Sequence, residues 1–221
     1  MFQRTVFAAI LMAVLVAPTF SQTNFQAGFT FGSNYSTLRS DLFTTAAGRL
    51  GMAGGCSFVV GFGNRFELNQ EILFAQKGAQ AKAAYFQAEQ APALRTYDYF
   101  YNTFETAIFA GFQPAKTIPV RFQAGGFLGT HFSNLARQKE DLMIGNYQEL
   151  NLAMPADDLN DAFSGLDFGP AVGISAGTGQ FRANVRAYFG AKNLYQNLDF
   201  VEGGHRIRTS ALRLSLTYFL K

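Results

Sequence analysis

The residues of this chain that could do chemistry are mostly charged groups placed at alternate positions. In the stretch "FRANVRAYFGAKNL", residues 181–194, Arg182 and Arg186 alternate with Phe181 and Val185. Successive side chains of a strand point to opposite faces, so this stretch has one apolar face and one face that carries cations. The chemistry open to the second face is ion pairing with acids on other strands.

Carboxylates alternate with apolar residues in the same way elsewhere in the chain. Glu67 and Glu71 lie in "FELNQEILFAQKG", Glu105 lies in "YDYFYNTFETAIFAGF", and Asp167 lies in "LDFGPAVGISAG". Buried charges are tolerated only when they are paired and hydrogen-bonded, so we expect each acid to meet an arginine from another strand. The predicted structural network contains Glu67, Glu71, Glu105, Asp167, Arg121, Arg182, Arg186 and Arg213. Lys77 and Lys192 share the predicted polar face.

Conventional catalytic and metal-binding residues are scarce. The chain has two His, His131 and His205, and one Cys, Cys56. Ser133, His131 and Asp141 offer a Ser–His–acid combination, but a triad is defined by geometry and polar loop residues explain these positions equally well. One Cys and two distant His do not supply the usual zinc ligands. We therefore expect no catalytic residue, no metal site and no cofactor.

Two further features are interpreted as structural. "GRLGMAGG" and "GGFLG" are rich in glycine, but neither leads from a strand into a helix as a phosphate-binding loop does. The acidic stretch 140–161 predicts a solvated outer loop, with cation binding as the alternative, and its spacing does not match an EF-hand.

The N-terminus has the layout of a secretory signal peptide. Arg4 precedes an apolar stretch, Val6–Ala17, and small residues stand before Gln22. An N-terminal membrane anchor is the alternative, but the apolar stretch is shorter than the roughly 20 residues that span a bilayer. We expect a signal peptide over residues 1–21 and a single domain over residues 22–221.

The composition narrows the class of the mature protein. Charged residues make up 15% of the chain and aromatic residues another 15%, while the mean hydropathy is +0.04. Such a chain has much apolar surface to place, yet it does not resemble a bundle of membrane helices. The formal net charge of +3 is too small to indicate nucleic-acid binding.

The alternation recurs in eight segments, which we number as predicted strands one to eight. They are "NFQAGFTFGSNYS", "GMAGGCSFVVGFG", "FELNQEILFAQKG", "YDYFYNTFETAIFAGF", "VRFQAGGFLGTHF", "LDFGPAVGISAG", "FRANVRAYFGAKNL" and "ALRLSLTYFLK". Short connections, "GNR", "QPAKTI" and "GTGQ", interleave with long ones at about residues 36–50, 78–96, 134–161 and 194–205. An even strand number with this asymmetry is typical of outer-membrane barrels, whose short turns face the periplasm.

The predicted fold is therefore all-β, an eight-stranded antiparallel up-and-down transmembrane β-barrel. Its apolar face meets lipid, and its polar face fills a lumen too narrow for an open pore. Glycines on predicted strands one, two and six are expected to make room for long lumen side chains. The Ala and Gln content of the 78–96 loop favours a short helical turn.

Aromatic residues are expected to form girdles at the two membrane interfaces. The residues that flank the short turns are Phe25, Phe62, Phe66, Phe112 and Phe181, and those toward the long loops are Tyr35, Phe100 and Phe132.

Four segments carry a resemblance to a known family. "GFTFGSNYSTL", "LNQEILFAQKGAQ", "LDFGPAVGISAG" and "LRLSLTYF" resemble the PorT-like outer-membrane β-barrel family, and the resemblance extends from about Asn24 to Lys221. Family members often end on an aromatic residue, whereas Leu220 and Lys221 follow Phe219 here. The resemblance implies a barrel, and the best-known member of the family assists a protein-secretion system.

Three functional hypotheses follow. The first is a non-enzymatic outer-membrane protein that acts through its long outer loops or an envelope partner in secretion or assembly. The second is a soluble periplasmic lipocalin-like barrel that binds an apolar ligand, and the third is a small outer-membrane enzyme that uses His131 or a loop acid. Under the first hypothesis the partners are outer-membrane lipid, the barrel-assembly machinery and an envelope protein, and nucleic acid is not a partner.

Charge reversal at Arg182 and Arg186 separates the membrane barrel from the soluble one. In the membrane barrel both residues are buried, so we expect Arg182→Glu/Arg186→Glu to block assembly. The measurement is gel mobility of unboiled and boiled protein from the outer-membrane fraction, where the wild type should migrate faster unboiled. A variant that assembles normally would show that these residues face water.

Overall fold

The computed structural model describes residues 24–39, 45–86, 93–115, 117–131, 143–146, 149–155, 165–194 and 207–221. These residues form ten strands. They are β1 (Asn24–Arg39), β2 (Thr45–Phe62), β3 (Phe66–Phe86), β4 (Ala93–Phe112), β5 (Val120–His131), β6 (Met143–Asn146), β7 (Glu149–Pro155), β8 (Leu166–Ala176), β9 (Phe181–Phe189) and β10 (Arg208–Phe219). The predicted signal peptide and the candidate residues Ser133, Asp141 and His205 lie outside the described residues.

Eight of the ten strands close into a barrel, as predicted. Around the barrel the order is β1, β2, β3, β4, β5, β8, β9 and β10, with every neighbouring pair antiparallel. The last strand returns to the first over a long ladder, from Gly28 opposite Phe219 to Arg39 opposite Arg208. Closure pairs backbone groups that an open edge would leave exposed to lipid.

The two faces of the barrel differ in the way that the alternation predicts. On the outer face Phe31 is 68% exposed and Leu214 is 60% exposed, while on the inner face Arg186 is 1% exposed. A lipocalin-like barrel requires the apolar face inside and the arginines in water. That hypothesis is therefore wrong, because the structure has the two faces the other way round.

The short turns at one end are tight and linked to one another. Gly63 (φ 60°) and Gly179 (φ 66°) take left-handed backbone conformations that side chains rarely adopt. The Gln113 amide donates to the Arg65 carbonyl over 2.8 Å, which joins the β2–β3 turn to the segment after β4.

The opposite end contains more strand than the sequence predicted. β3 continues to Phe86 and β4 begins at Ala93, with Gly78 opposite Phe100 and Tyr85 opposite Ala93. In the described part of this loop, residues 78–86 and 93–96, the chain is strand and not the helical turn expected, because pairing between the two strands outweighs the weak helix preference of Ala and Gln.

A small hairpin explains why the structure has ten strands rather than eight. β6 and β7 lie within the stretch 134–161, which was expected to be a loop, and they pair with each other. β6 also pairs with the end of β3, where Ala84 lies opposite Gly145. The hairpin thus widens the sheet beyond the closed barrel without entering its wall.

Rings gather at the short-turn end of the outer face. All five aromatic residues predicted there are exposed, and they are Phe25, Phe62, Phe66, Phe112 and Phe181. Phe66 and Phe112 lie in contact, with ring centroids 5.2 Å apart, and Phe181 contacts Tyr218 at the same distance. At the other end Tyr35 is exposed and Phe100 lies under the Arg49 guanidinium, while Phe132 falls outside the described residues.

Two leucines on β10 and just after it test how the outer face meets lipid. Leu216 lies near the middle of the apolar face and Leu220 lies at its short-turn end, and both are 52% exposed. We expect Leu216→Arg to destabilise the barrel folded in lipid vesicles by about 2–4 kcal/mol, and Leu220→Arg to destabilise it by about 0–1 kcal/mol. Urea titration in vesicles measures both values. Equal losses at the two positions would contradict a membrane-spanning outer face.

Candidate functional site: the ion-pair network of the lumen

The first layer of the network lies at the short-turn end of the lumen and centres on Glu67 of β3. Arg182 of β9 donates from Nη1 to Glu67 Oε1 over 2.9 Å. Arg121 of β5 places Nε 3.1 Å from Glu67 Oε2. Gln123 donates from Nε2 to Glu67 Oε1 over 3.3 Å. Both carboxylate oxygens are thus held by groups from two other strands.

The middle layer joins Glu71 of β3 to Arg186 of β9 in a direct ion pair, with both side chains almost fully buried. Arg186 Nε also donates to Gln123 Oε1 over 2.9 Å. The Arg186 guanidinium carbon lies 4.3 Å from the centroid of the Phe109 ring. Gln123 therefore connects the first two layers, since it donates to Glu67 and accepts from Arg186.

The third layer lies toward the outer end and centres on Glu105 of β4. Arg213 of β10 pairs with Glu105 Oε2, and Lys77 of β3 pairs with Oε1. Lys77 Nζ also lies 3.8 Å from Asp167 Oδ2. Thr209 donates to the same Asp167 oxygen over 2.6 Å. Four strands meet around one buried pair of carboxylates.

The structure brings all eight predicted residues into one lumen, but Asp167 takes a different partner from the one expected. Its cation is Lys77 rather than an arginine, since Arg213, on the same layer, pairs with Glu105. The prediction that every acid meets an arginine is therefore wrong at Asp167. Lys77, which is 2% exposed, belongs to the network and was not in the predicted set.

An apolar cluster, which the sequence pattern did not predict, packs among these charges. Phe109, Phe127 and Tyr188 are almost fully buried in the lumen. The Phe127 and Tyr188 centroids are 5.5 Å apart with the rings nearly perpendicular. The alternation of side chains already indicated this cluster, because Phe109 lies on the same face of its strand as Glu105, and Phe127 on the same face as Arg121.

Glycines give space to lumen side chains on only some of the strands where this was expected. On β8, which is predicted strand six, a Cβ on Gly173 would lie 2.5 Å from Arg186 Cγ. On β4, where no such role was expected, a Cβ on Gly111 would lie 2.6 Å from Glu67 Cγ. On β1 the reason differs, because a Cβ on Gly28 or Gly32 would meet a backbone carbonyl of β10. Those glycines allow the first and last strands to approach closely at the closure.

The arrangement binds the lumen side chains to one another. His131 lies edge-on to the Tyr101 ring, with centroids 4.6 Å apart.

Within the described residues no group of three His, Cys, Asp or Glu is placed to hold a metal ion. No helix of the described chain is long and apolar enough to cross a membrane.

A closed barrel of eight strands with an apolar outer face and a charged, filled interior defines a membrane β-barrel protein. Residues 20–196 match the model of a family described as outer membrane protein beta-barrel domain. The chain belongs to this family and is an outer-membrane β-barrel. Comparison with curated protein sequences gives no match.

Solved structures of other proteins are similar to this chain at low sequence identity. Neisserial surface protein A is 11% identical with a TM-score of 0.50, and the match covers 90% of this chain and 99% of that one. Ail of Yersinia pestis is 10% identical with a TM-score of 0.43, over 89% and 99% of the two chains. OprG of Pseudomonas aeruginosa is 8% identical with a TM-score of 0.40, over 90% and 95%. These similarities concern the fold alone.

The middle ion pair provides a test of the energetics of the network. Arg186→Met leaves Glu71 buried without its cation, so we expect a loss of about 3–5 kcal/mol in the free energy of unfolding. Arg186→Met/Glu71→Leu removes both charges and should recover most of that loss.

The chain has no Trp, so urea unfolding is followed by the gel mobility of unboiled protein. Arg208→Met, at an exposed arginine, is the control and should change stability by no more than about 0.5 kcal/mol. A double variant as unstable as the single one would argue against the pairing.

Proposed function

We propose that this outer-membrane protein is non-enzymatic, with a lumen that is structural and an activity that lies in contacts made outside the membrane. Those contacts are with an envelope partner, in secretion or assembly. The observation that carries the proposal is the filled lumen, because it leaves the ends of the barrel as the parts free to interact.

The burial of the lumen charges supports a closed barrel. Glu71 and Asp167 are 0% exposed, and Arg213 is 1% exposed. A continuous water path through the lumen would wet these groups. Eight strands also leave an interior that side chains can fill, which argues against a porin.

The outer end offers the surface on which such contacts depend. Among the described residues β5 pairs with β4 only from Thr103 onward, and the part of β4 before it, Ala93–Asn102, continues outward paired with β3. At roughly 3.3 Å per residue this extension is on the order of 30 Å long. The β6–β7 hairpin pairs with the same part of β3. Together they form a sheet outside the closed barrel.

The PorT-like resemblance supports the choice of secretion or assembly as the process, since the best-known member of that family assists secretion. Export through a signal peptide over residues 1–21 and insertion by the barrel-assembly machinery belong to the same proposal. The proposed partners are outer-membrane lipid and an envelope protein.

Shortening the β3–β4 hairpin tests whether the tip of the outer extension, residues 83–95, which includes the part of β3 that pairs with β6, carries the activity. The variant joins Lys82 directly to Thr96 through an Asn-Gly turn, which suits a two-residue hairpin connection. Because Lys82 and Thr96 are register partners, we expect the barrel to assemble and to keep its heat-modifiable mobility. In a strain lacking the native protein, the shortened barrel should fail to restore the wild-type phenotype.

The matched control is His131→Ala in the full-length protein, which should restore the wild-type phenotype fully if the protein is not an enzyme. Full activity of the shortened barrel would refute the role of the extension. Loss of activity in His131→Ala, with the barrel assembled, would favour the enzyme hypothesis instead.

A further inference from the structure

A polar recess opens at the short-turn end of the lumen, opposite the end with the outer extension. Its volume is about 150 Å³. The lining includes Arg65, Arg121, Glu67, Asn64 and Gln113. In outer-membrane barrels this end faces the periplasm.

The cations of the recess exceed its carboxylates. Arg65 and Arg121 line it together with a single acid, Glu67. Both oxygens of Glu67 are already engaged, Oε1 by Arg182 and Oε2 by Arg121. Two guanidinium groups therefore already contact the one carboxylate, and Arg65 adds a further cation to the lining, so the local charge is positive.

One donor of the recess is unused. Arg121 directs Nε to Glu67, but its buried Nη1 atom has no hydrogen-bond partner among the described residues. A buried donor without a partner costs about 1–3 kcal/mol, and more when the group is charged. Arg121 lines the recess and its side chain is 21% exposed, so an oxyanion there would contact it, because guanidinium groups bind carboxylate and phosphate in a planar fork.

Size and charge limit the class of ligand. The recess has room for several waters or one small oxyanion. A metal cation is disfavoured by the excess of arginine, and an apolar ligand is disfavoured by the amide and guanidinium lining.

We propose that this recess binds a small oxyanion, a carboxylate or phosphate group, that reaches it from the periplasm. Arg121 supplies the directed donor, and Arg65, at the exposed turn, adds attraction. The proposal is independent of the proposed function, because it uses the other end of the barrel and none of the residues of the outer extension.

The test is an NMR titration of the ¹⁵N-labelled mature protein in lipid nanodiscs. The probes are inorganic phosphate, succinate and the peptide Gly-Asp-Glu-Gly, each against sodium chloride at matched ionic strength. We expect saturable shifts of the amide signals of Gly63, Asn64, Arg65 and Gln113 with at least one probe. Tighter binding of the peptide indicates an acidic protein segment as the source, and tighter binding of phosphate or succinate indicates a free solute.

Three variants decide whether the recess is responsible. Arg121→Gln should weaken binding by about tenfold, because it removes a charge-assisted hydrogen bond. Glu67 keeps Arg182 and Gln123 in that variant, so the barrel should fold. Arg65→Gln lies in an exposed turn, so it remains informative if Arg121→Gln fails to assemble, and it should weaken binding less and in a salt-dependent way.

Arg208→Gln, at the opposite end, is the control and should bind as the wild type does. Shifts that do not saturate, that sodium chloride reproduces, or that neither recess variant weakens would overturn the proposal.

Discussion

The burial of cations inside this narrow barrel is possible because carboxylates lie beside them. Arg186, Arg213 and Lys77 are each at most 2% exposed, and each contacts Glu71 or Glu105. Removing an ion from water is expensive, so these cations are tolerated only while their acids stay in place. Three of the four acids lie on β3 and β4, and most of the cations lie on β9 and β10, so the network joins opposite walls of the barrel.

An apolar lumen would avoid this desolvation, and in many proteins it is at least as stable as buried ion pairs. The charges have a second effect in a membrane barrel, which concerns register. Side chains alternate across a strand, so a slip of one residue would turn Arg182 and Arg186 of β9 toward lipid. An arginine near the middle of the bilayer costs about 2–4 kcal/mol. The network therefore disfavours the wrong register more strongly than it favours the right one.

Aromatic rings supplement the carboxylates inside the lumen. Among the described lumen residues the cations are Lys77, Arg121, Arg182, Arg186 and Arg213, and the acids are Glu67, Glu71, Glu105 and Asp167. Arg213 lies 4.5 Å from the Tyr188 ring centroid, and Lys77 lies 4.7 Å from that of Phe127. Each such contact contributes about 2 kcal/mol when it is removed from water. The rings also fill volume between the charges.

Alternation made the two faces of the barrel predictable, because the side a residue takes is a local property of its strand. The pairing of Arg182 with Glu67, or of Lys77 with Asp167, depends on the stagger between strands distant in sequence. No local pattern contains that information. The same limit explains the extension of β3 and β4, since Ala79 and Gln80 become strand through pairing with β4 on one side and with β2 on the other.

The two ends of the barrel tolerate changes of side chain that its middle does not. Nearly every charge of the middle and outer layers contacts an opposite charge, a hydroxyl or a ring, so a change there disturbs folding. The recess at one end and the outer sheet at the other lie beyond those layers, and Glu67 retains two donors without Arg121. A change at the ends, such as the loss of Arg121, therefore leaves the ion pairs of the middle and outer layers in place.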